Sequence, residues 1–431
     1  MRAKVLIVGG GVMGNSIALH AARYFDPYRD PVVLLERSDL ASGSSGASGA
    51  LLRQHYATPA IASMARDSMR EYAAFEGRTG RSVGFRRAGV LTLAGPERPE
   101  TLERLRGNVE AQAKIGIETQ VLDAEAIRAR VPGIEVADEA IAAFEPGGGY
   151  VDAGCCVQEF AALARSYGAS TRIGVSNSEL IVKDGRVVGA ETTEGRYDAD
   201  KVVIVAGAWT RRLLAQYGVD VPLKVARVEQ HFVSLPKDEE DTDPGLHETN
   251  QWNVDLEDPL EEEQERLMGS GDARPSSEHP VIIDLEYGFY TRAEPRHGRT
   301  RICPIGYKSE DILDAPIDGD EPRDEHGTWA RAALRRRLPI YEGEKSMGSV
   351  LSWFPITPDG RAIIGTVPGH EGLIIATGFA DHGFKLAPSV GEGVAQMLAG
   401  DPISAFDPEY FSFERFAGGS TDGDWSERLF L

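Results

Sequence analysis

The sequence predicts an α/β chain, α+β overall, in which a domain of parallel strands is interrupted by a second domain of mainly antiparallel strands with helices. Three observations predict it. The first 36 residues read strand, glycine-rich turn, helix, strand, acid. At 431 residues the chain is too long for one ordinary core. Short apolar runs suited to a buried parallel sheet recur in its first, middle and last thirds, with more alternating runs between them.

Val5-Leu6-Ile7-Val8 is an apolar run fit for a buried parallel strand. Gly9, Gly11 and Gly14 follow in the spacing G-x-G-x-x-G, with Val12 and Met13 inside it and Ala18 one helical turn beyond. The first glycine allows a tight turn, the second lets backbone approach a pyrophosphate, and the third lets the helix pack closely on the strand. The helix N-terminus then offers N–H groups to phosphate. Val32-Val33-Leu34-Leu35 supplies the second strand, and Glu36 ends it where a carboxylate would accept from ribose hydroxyls. A lone motif of this kind can be a plain βα turn. Flanked by two apolar runs and closed by an acid, it reads as a Rossmann-type dinucleotide site.

A small-residue loop, 42–49, comes next, then a helix from about Pro59 to Gly77 with Ile61, Met64, Met69, Tyr72 and Phe75 on its apolar side. Phe85 to Leu93 alternates like a strand, and Glu103 to Ile115 and Ala124 to Val131 read as helices. Gly147 to Asp152 is turn chemistry, Val157 to Tyr167 a helix and Ala169 to Val175 a strand. Asp184-Gly185 predicts a hairpin over Leu180 to Val188. Lys201 to Val205 is a buried strand running into Ala206-Gly207-Ala208-Trp209 and a helix. Residues 236–278 are acidic, rich in Pro, Gly and Ser, and read as a surface excursion. Strands return at Val281–Ile283, Gly288–Arg292 and Arg301–Ile305, a helix at Trp329–Leu338, and a last buried strand at Leu373–Ala376. The dispersal places the dinucleotide domain at 1–84, 146–215 and 346–431, and the second domain at 85–145 and 216–345.

A net charge of -21 argues against nucleic acid, which needs a basic surface. No run approaches the roughly 18 apolar residues of a membrane helix, so no membrane insertion is expected. The first strand begins almost at Met1, leaving no room for a signal peptide, and a cytoplasmic protein is the expectation. Cys155, Cys156 and Cys303 fit neither metal nor disulfide spacing, no His/Asp/Glu cluster shows metal spacing, and no nucleophile elbow is present.

The segments together resemble the flavin amine oxidases of the D-amino-acid oxidase superfamily, especially the sarcosine oxidase and glycine oxidase branch. The resemblance is carried by residues 5–14, the serine-rich loop 42–48, Gly149-Tyr150-Val151-Asp152, Ala206 to Trp209, Thr357-Pro358-Asp359-Gly360, and Gly378-Phe379 through Gly383-Phe384-Lys385. It implies FAD, with the ADP ribose on Glu36 beside Arg37 and the pyrophosphate over Gly9, Gly11, Val12, Met13 and Gly14. Adenine would meet backbone near Val175. Ser44 and Ser45 would sit near the flavin end, Ala206, Gly207 and Trp209 would belong to the same site, and Gly378, Gly383, Phe384 and Lys385 would run beside the isoalloxazine. NAD explains the first motif equally well but leaves the C-terminal glycine cluster unexplained.

In such an enzyme a hydride leaves the carbon next to nitrogen for the flavin, and the resulting imine hydrolyses. The expected substrate is a small carboxylate-bearing amine, a secondary amine such as an N-methyl amino acid, or an amino acid. By resemblance, Arg53 and Lys385 match the two cations that grip its carboxylate. The segment that carries a flavin-linking cysteine in monomeric sarcosine oxidases reads Val350-Leu351-Ser352-Trp353 here, so the expected FAD is non-covalent by that linkage. The family's further arginine near Ala50 is absent. The lysine thought to promote oxygen reaction aligns with Pro304, and Lys308 stands where those enzymes carry a histidine. Lys308 could substitute as a charge or project into solvent, which leaves oxygen or an electron carrier as acceptor. His55 could be a proton acceptor or a substrate contact, or simply a packed histidine. His382 is expected to shape the flavin loop, His231, Tyr290 and Tyr307 to touch ligand or core, and Trp353 and Phe354 to wall the pocket. Two other functions compete: an FAD-dependent 2-hydroxy acid dehydrogenase, or a flavin-holding subunit whose acidic excursion binds a partner. Oligomeric state is not predicted.

Overall fold

The computed structural model describes residues 1–236, 278–417 and Trp425; the interior of the expected 236–278 excursion lies outside the described residues. Five strands form a parallel core in the order Ser170–Ile173, Val32–Glu36, Arg2–Val8, Gly195–Ile204, His370–Thr377. Alternate residues of these strands serve opposite faces. Val5, Ile7, Val32 and Leu34 pack into one core, and Leu6, Val33, Leu35 and Val202 into another. Burial on both faces is why the runs read as continuously apolar. Strand Ile363–Val367 closes one edge antiparallel to His370–Thr377. The hairpin of Asn177–Lys183 and Arg186–Thr192 turns at Asp184 (φ 50°) and Gly185 (φ 77°), both left-handed, as a two-residue type I′ turn requires.

Helix Val12–Tyr24 leaves the first strand through the glycine turn and lies against helices Ala153–Ser166 and Gly383–Ala399. The last of these extends the Gly-Phe-Lys segment far beyond where the sequence reading stopped, through Pro388. Proline has no N–H to give the carbonyl four residues back, that of Phe384. The Tyr72 hydroxyl donates to that carbonyl instead, at 2.8 Å. Ser16 Oγ donates to the Ala387 carbonyl at 2.6 Å where the two helices cross, and a Cβ on Gly391 would overlap the same hydroxyl.

Among the described residues the second sheet has nine strands, ordered Ile312–Leu313, Lys224–Ser234, Arg299–Pro304, Phe289–Glu294, Val281–Asp284, Val90–Ala94, Ile141–Glu145, Gln120–Asp123, with Ser346–Ile356 also on Lys224–Ser234. Its pairings are antiparallel except that of Val281–Asp284 with Val90–Ala94. Several details differ from the sequence reading, two of them in placement. The strand expected over Phe85 to Leu93 begins only at Val90, because Gly84 and Gly89 take left-handed turns before it. Residues 346–356, placed with the dinucleotide part, pair along the second sheet instead. The two sheets are stitched where Leu51–Leu52 pairs with Gly149–Tyr150. There the Tyr150 hydroxyl donates to Ala293 O at 3.0 Å, and the Arg292 guanidinium lies 4.1 Å from the Tyr150 ring centre.

Helix Asp324–Arg337 covers the second sheet's other face and ends on a buried ion pair. Arg337, 1% exposed, donates from Nε to Asp284 Oδ2 at 2.7 Å and from Nη2 to Glu286 Oε2 at 2.8 Å. Asp284 is fully buried and also accepts the N–H groups of Glu286 and Tyr287. Removing the cation would strand that carboxylate. Arg337→Leu is therefore expected to cost about 3–5 kcal/mol of stability, read as a lowered midpoint of urea unfolding.

Candidate active site

The carboxyl ends of the parallel strands open into a cleft of about 900 Å³. Gly9 to Met13 form its floor, where the helix begins. Gly9 sits at φ 124°, and a Cβ there would lie 2.5 Å from the Val205 carbonyl oxygen. A Cβ on Gly14 would overlap the Gly9 carbonyl oxygen, so the helix can approach the turn only with hydrogen at that position. Asn15 pins the turn by donating from Nδ2 to Gly10 O at 2.9 Å and Gly11 O at 3.0 Å. Ser45 Oγ accepts the Val12 N–H at 3.0 Å, which brings the serine-rich loop onto the helix N-terminus.

Glu36 stands at one end. Its carboxylate accepts from Gly10 N at 2.7 Å and Ser38 N at 2.8 Å, and its carbonyl accepts from Val175 N at 2.9 Å. Val175 thereby joins the lining. Arg37 lies 4.7 Å from the Trp209 ring centre, and Ala206, Gly207 and Trp209 line the same wall. A helix N-terminus opening on the cleft, a turn of glycines and an acid at the neighbouring strand's end fit an extended dinucleotide, diphosphate over the turn and ribose on Glu36.

The opposite end is where the remaining ring of such a ligand must fall. It is lined by Ser44, Ser48, Phe354, Phe379, Ala380, Asp381, Gly383 and Phe384. Ser44 Oγ donates to Trp353 O at 2.5 Å. Gln230 Nε2 and Arg301 Nη1 both donate to Ala47 O, at 2.5 and 2.8 Å, and the Tyr290 hydroxyl donates to Gln230 Oε1 at 3.2 Å. Tyr290 fills the space a Cβ on Gly49 would take. Of the expected cofactor residues, Gly14, Gly378 and Lys385 are absent from the lining. The two glycines serve close packing: Gly378 has φ 75°, and a Cβ on it would lie 2.6 Å from Thr357 Cγ2.

Lys385 belongs to a buried charge cluster beneath this end. Its Nζ donates to Asp381 O at 2.6 Å and lies 3.5 Å from Asp381 Oδ2. His382 Nε2 is 3.5 Å from Asp381 Oδ1, and the Tyr56 hydroxyl is 3.1 Å from His382 Nδ1. Arg53, 1% exposed, donates to His55 O and lies 4.2 Å from the Tyr56 ring centre. Burial pulls the Lys385 ammonium down to about 8, against the raising effect of Asp381. Burial would raise the Asp381 carboxyl, but His382 when protonated, Lys385 and Arg53 outweigh it and hold it at about 2. Burial also brings the His382 imidazole down to about 4, so at neutral pH the charges that supply that pull are Lys385 and Arg53, beside a backbone hydrogen bond. Glu145 completes the cluster. It accepts from Gln54 N at 2.6 Å, and burial pushes its carboxyl up to about 7 despite that bond and Arg53.

Three other candidates lie elsewhere. Lys308 is exposed, at the start of a 3₁₀ turn, and does not line the cleft. His55 turns to helix Pro99–Ala113, its Nδ1 3.1 Å from Gln112 Oε1, and burial with Arg53 lowers it to about 4. His231 packs under Gly327, with Nδ1 2.8 Å from Ser349 Oγ, on the sheet face away from Gln230. Alternation along a strand puts neighbours on opposite faces, and it could have marked Gln230 rather than His231 as the site residue. Tyr307 packs edge-on to Phe354. Tyr56, Glu145 and Arg301 were not singled out by their sequence context, and Asp381 only as a charge partner of the neighbouring His382. Among the described residues no His, Cys, Asp and Glu group is arranged to hold a metal, and no helix is long and apolar enough to cross a membrane.

The family described as FAD dependent oxidoreductase matches residues 4–397. The chain is 26% identical over 419 residues to the peroxisomal sarcosine oxidase of Homo sapiens, covering 95% of each. The L-proline dehydrogenase from P. horikoshii shares the fold, with a TM-score of 0.79, 21% identity, and coverage of 97% of this chain and 98% of that one. So does the glycine oxidase from Geobacillus kaustophilus, with a TM-score of 0.74, 24% identity, and coverage of 96% and 99%. With a matched stretch that takes in the glycine turn, Glu36 and the Gly383-Phe384-Lys385 segment alike, the chain belongs to the DAO family of FAD-dependent oxidoreductases.

Proposed function

We propose that this protein oxidises the carbon–nitrogen bond of a small amine bearing a carboxylate, a secondary amine such as an N-methyl amino acid or an amino acid, using non-covalent FAD. The observation that carries the reading is the pair of buried cations, Arg53 and Lys385, gathered with Asp381 beneath the ring end of the cleft. Bound FAD supplies the hydride acceptor. The chain's own task is to hold the amine against the ring, and a buried cation held by packing loses little freedom when it meets a carboxylate. Phe354, Phe379 and Phe384 keep that end apolar, which strengthens any charge pairing made there. The names of similar proteins, a sarcosine oxidase, a glycine oxidase and an L-proline dehydrogenase, support the same substrate class. The nine-stranded sheet, with Gln230, Tyr290 and Phe354 toward the cleft, is the substrate domain in this reading.

Dissociable FAD is supported by where the cysteines lie. Cys155 and Cys156 are on helix Ala153–Ser166, Cys303 is in the second sheet, and none lines the cleft. Acid or urea denaturation is expected to release all the flavin from the protein, and a yellow band that stayed on the polypeptide would overturn this point. Gly14→Ala, which drives a methyl into the Gly9 carbonyl, is expected to yield folded protein with most of its flavin lost, read from the ratio of flavin to protein absorbance.

The substrate reading is tested anaerobically. Flavin absorbance is expected to bleach on adding an N-methyl amino acid, and readmitting either oxygen or a dye then identifies the acceptor. Absence of bleaching with every amine and amino acid tried would sink it. Arg53→Met and Lys385→Met are each expected to lower kcat/KM for the carboxylate-bearing amine by about 10²-fold, the equivalent of about 2–3 kcal/mol of charge-assisted bonding, and to do far less to an amine without the carboxylate.

A further inference from the structure

We propose that Asp381 is a positioning residue that keeps the buried Lys385 protonated and aimed at the ring end of the cleft. This extends the reading of Lys385 as a carboxylate grip and asks what makes a lysine in that place a cation at all.

Three features of the site favour the neutral amine. Lys385 is 5% exposed, so its ammonium has been taken out of water. It is the third residue of a 17-residue helix, where the aligned peptide dipoles present their positive end. Arg53 adds a second positive charge to the same cluster. The groups facing Lys385 from the surrounding elements are Asp381 on its own loop, His382, Arg53 and Tyr56 from the segment after Leu51–Leu52, and Cys303 from the second sheet. At neutral pH His382 carries no charge and the Tyr56 phenol is pushed above its ordinary range by burial. Glu145 lies on the Arg53 side of the cluster. Asp381 is therefore the carboxylate that balances Lys385.

Asp381 acts on the lysine twice. Its carbonyl accepts the Nζ hydrogen bond, and its carboxylate lies within 3.5 Å of the same nitrogen. The loop that presents it is fixed from behind: Ala380 takes a left-handed φ of 48° and its N–H donates to Pro355 O at 2.9 Å. Asp381 itself lines the cleft, while Lys385 does not. One residue thus spans from the ligand space to the buried cation.

The test uses the FAD-loaded enzyme with ¹³C in the lysine side chains. The Lys385 signal is assigned by its loss in Lys385→Met and titrated by NMR, and acetate binding is followed in parallel through the flavin absorbance. In the native enzyme the Lys385 midpoint is expected near pH 8. In Asp381→Asn, which keeps the shape and removes the charge, the midpoint should fall by about one unit or more, the size of effect an opposite charge exerts at this distance. Acetate affinity at pH 7.5 should fall with it, by about threefold for a one-unit shift, as the protonated fraction of Lys385 drops from about three-quarters to about one-quarter. Asp381→Glu should restore both, which damage to the loop would not allow; Asp381→Ser replaces the Asn variant if that one does not hold flavin. A Lys385 midpoint unmoved or raised in the flavin-bearing variant overturns the proposal. A lowered midpoint with unchanged acetate affinity upholds Asp381 and overturns the carboxylate role of Lys385, so the two failures are distinct.

Discussion

The backbone of helix Val12–Tyr24 begins in contact with the end of strand Arg2–Val8, and that closeness depends on Gly9 and Gly14 having no side chains. Much of the site is registered on it. The helix N-terminus fixes Ser45 through the Val12 N–H, and Ser45 places the loop whose next residues are held by Gln230, Arg301 and Tyr290. Further along, Ser16 and Gly391 let helix Gly383–Ala399 cross at close range. That crossing sets where Gly383, Phe384 and Lys385 stand. The two ends of a cleft formed by segments nearly 400 residues apart are thus referred to one turn. Displacing that turn would shift both ends together, which is why so short a motif governs so large a site.

A second constraint is charge. Arg53, Lys385 and Glu145 are buried and Asp381 is half-buried at the cleft, and an isolated buried charge is expensive. They are tolerable as a group because opposite signs face one another. The cluster is not symmetric, however. Asp381 stays ionised far below neutral pH, whereas the Glu145 carboxyl sits near 7. Around and below neutral pH the cations therefore outweigh the ionised carboxylates, and that surplus is what the proposed substrate carboxylate would meet. The two histidines contribute shape and hydrogen bonds rather than charge, His55 toward Gln112 and His382 toward Tyr56.

What the sequence made legible was whatever local physics decides. The glycine spacing, the acid after the second strand and the Asp184-Gly185 turn need no distant partner to be read, and in the structure they form the tight turn, line the cleft beside it and close the hairpin. Helix Pro59–Thr79 was legible from its periodic apolar side. The helix after Gly383 was not, because Pro388 reads as a breaker and its missing bond is made good by Tyr72, more than 300 residues away in sequence. Strands Ile141–Glu145 and Gln120–Asp123 also escaped, the first buried throughout and too small in its side chains to alternate, the second mostly exposed at a sheet edge. Asp381 looked like a companion to His382; that it faces the cleft and holds Lys385 is a fact of three-dimensional neighbours.

Strand Lys224–Ser234 shows how the second sheet keeps folding and function apart. Ala226, Val228 and Gln230 face the cleft side, the first two packed with Leu51, Tyr150 and Tyr290. Arg227, Glu229 and His231 face the other way. Arg227 donates to Asp320 at 2.6 Å, Glu229 accepts the Arg323 N–H at 2.8 Å, and His231 meets Gly327, so these three seat the start of helix Asp324–Arg337. The neighbouring strand Ser346–Ile356 places Phe354 opposite Ala226 on the cleft side, and its Trp353 carbonyl receives Ser44. Because the period of a strand is two, a change on one set of positions leaves the other set's packing in place. The cleft-side positions can therefore vary in chemistry while the charged face behind them continues to hold the helix, a division that suits a fold able to carry different functions on one scaffold.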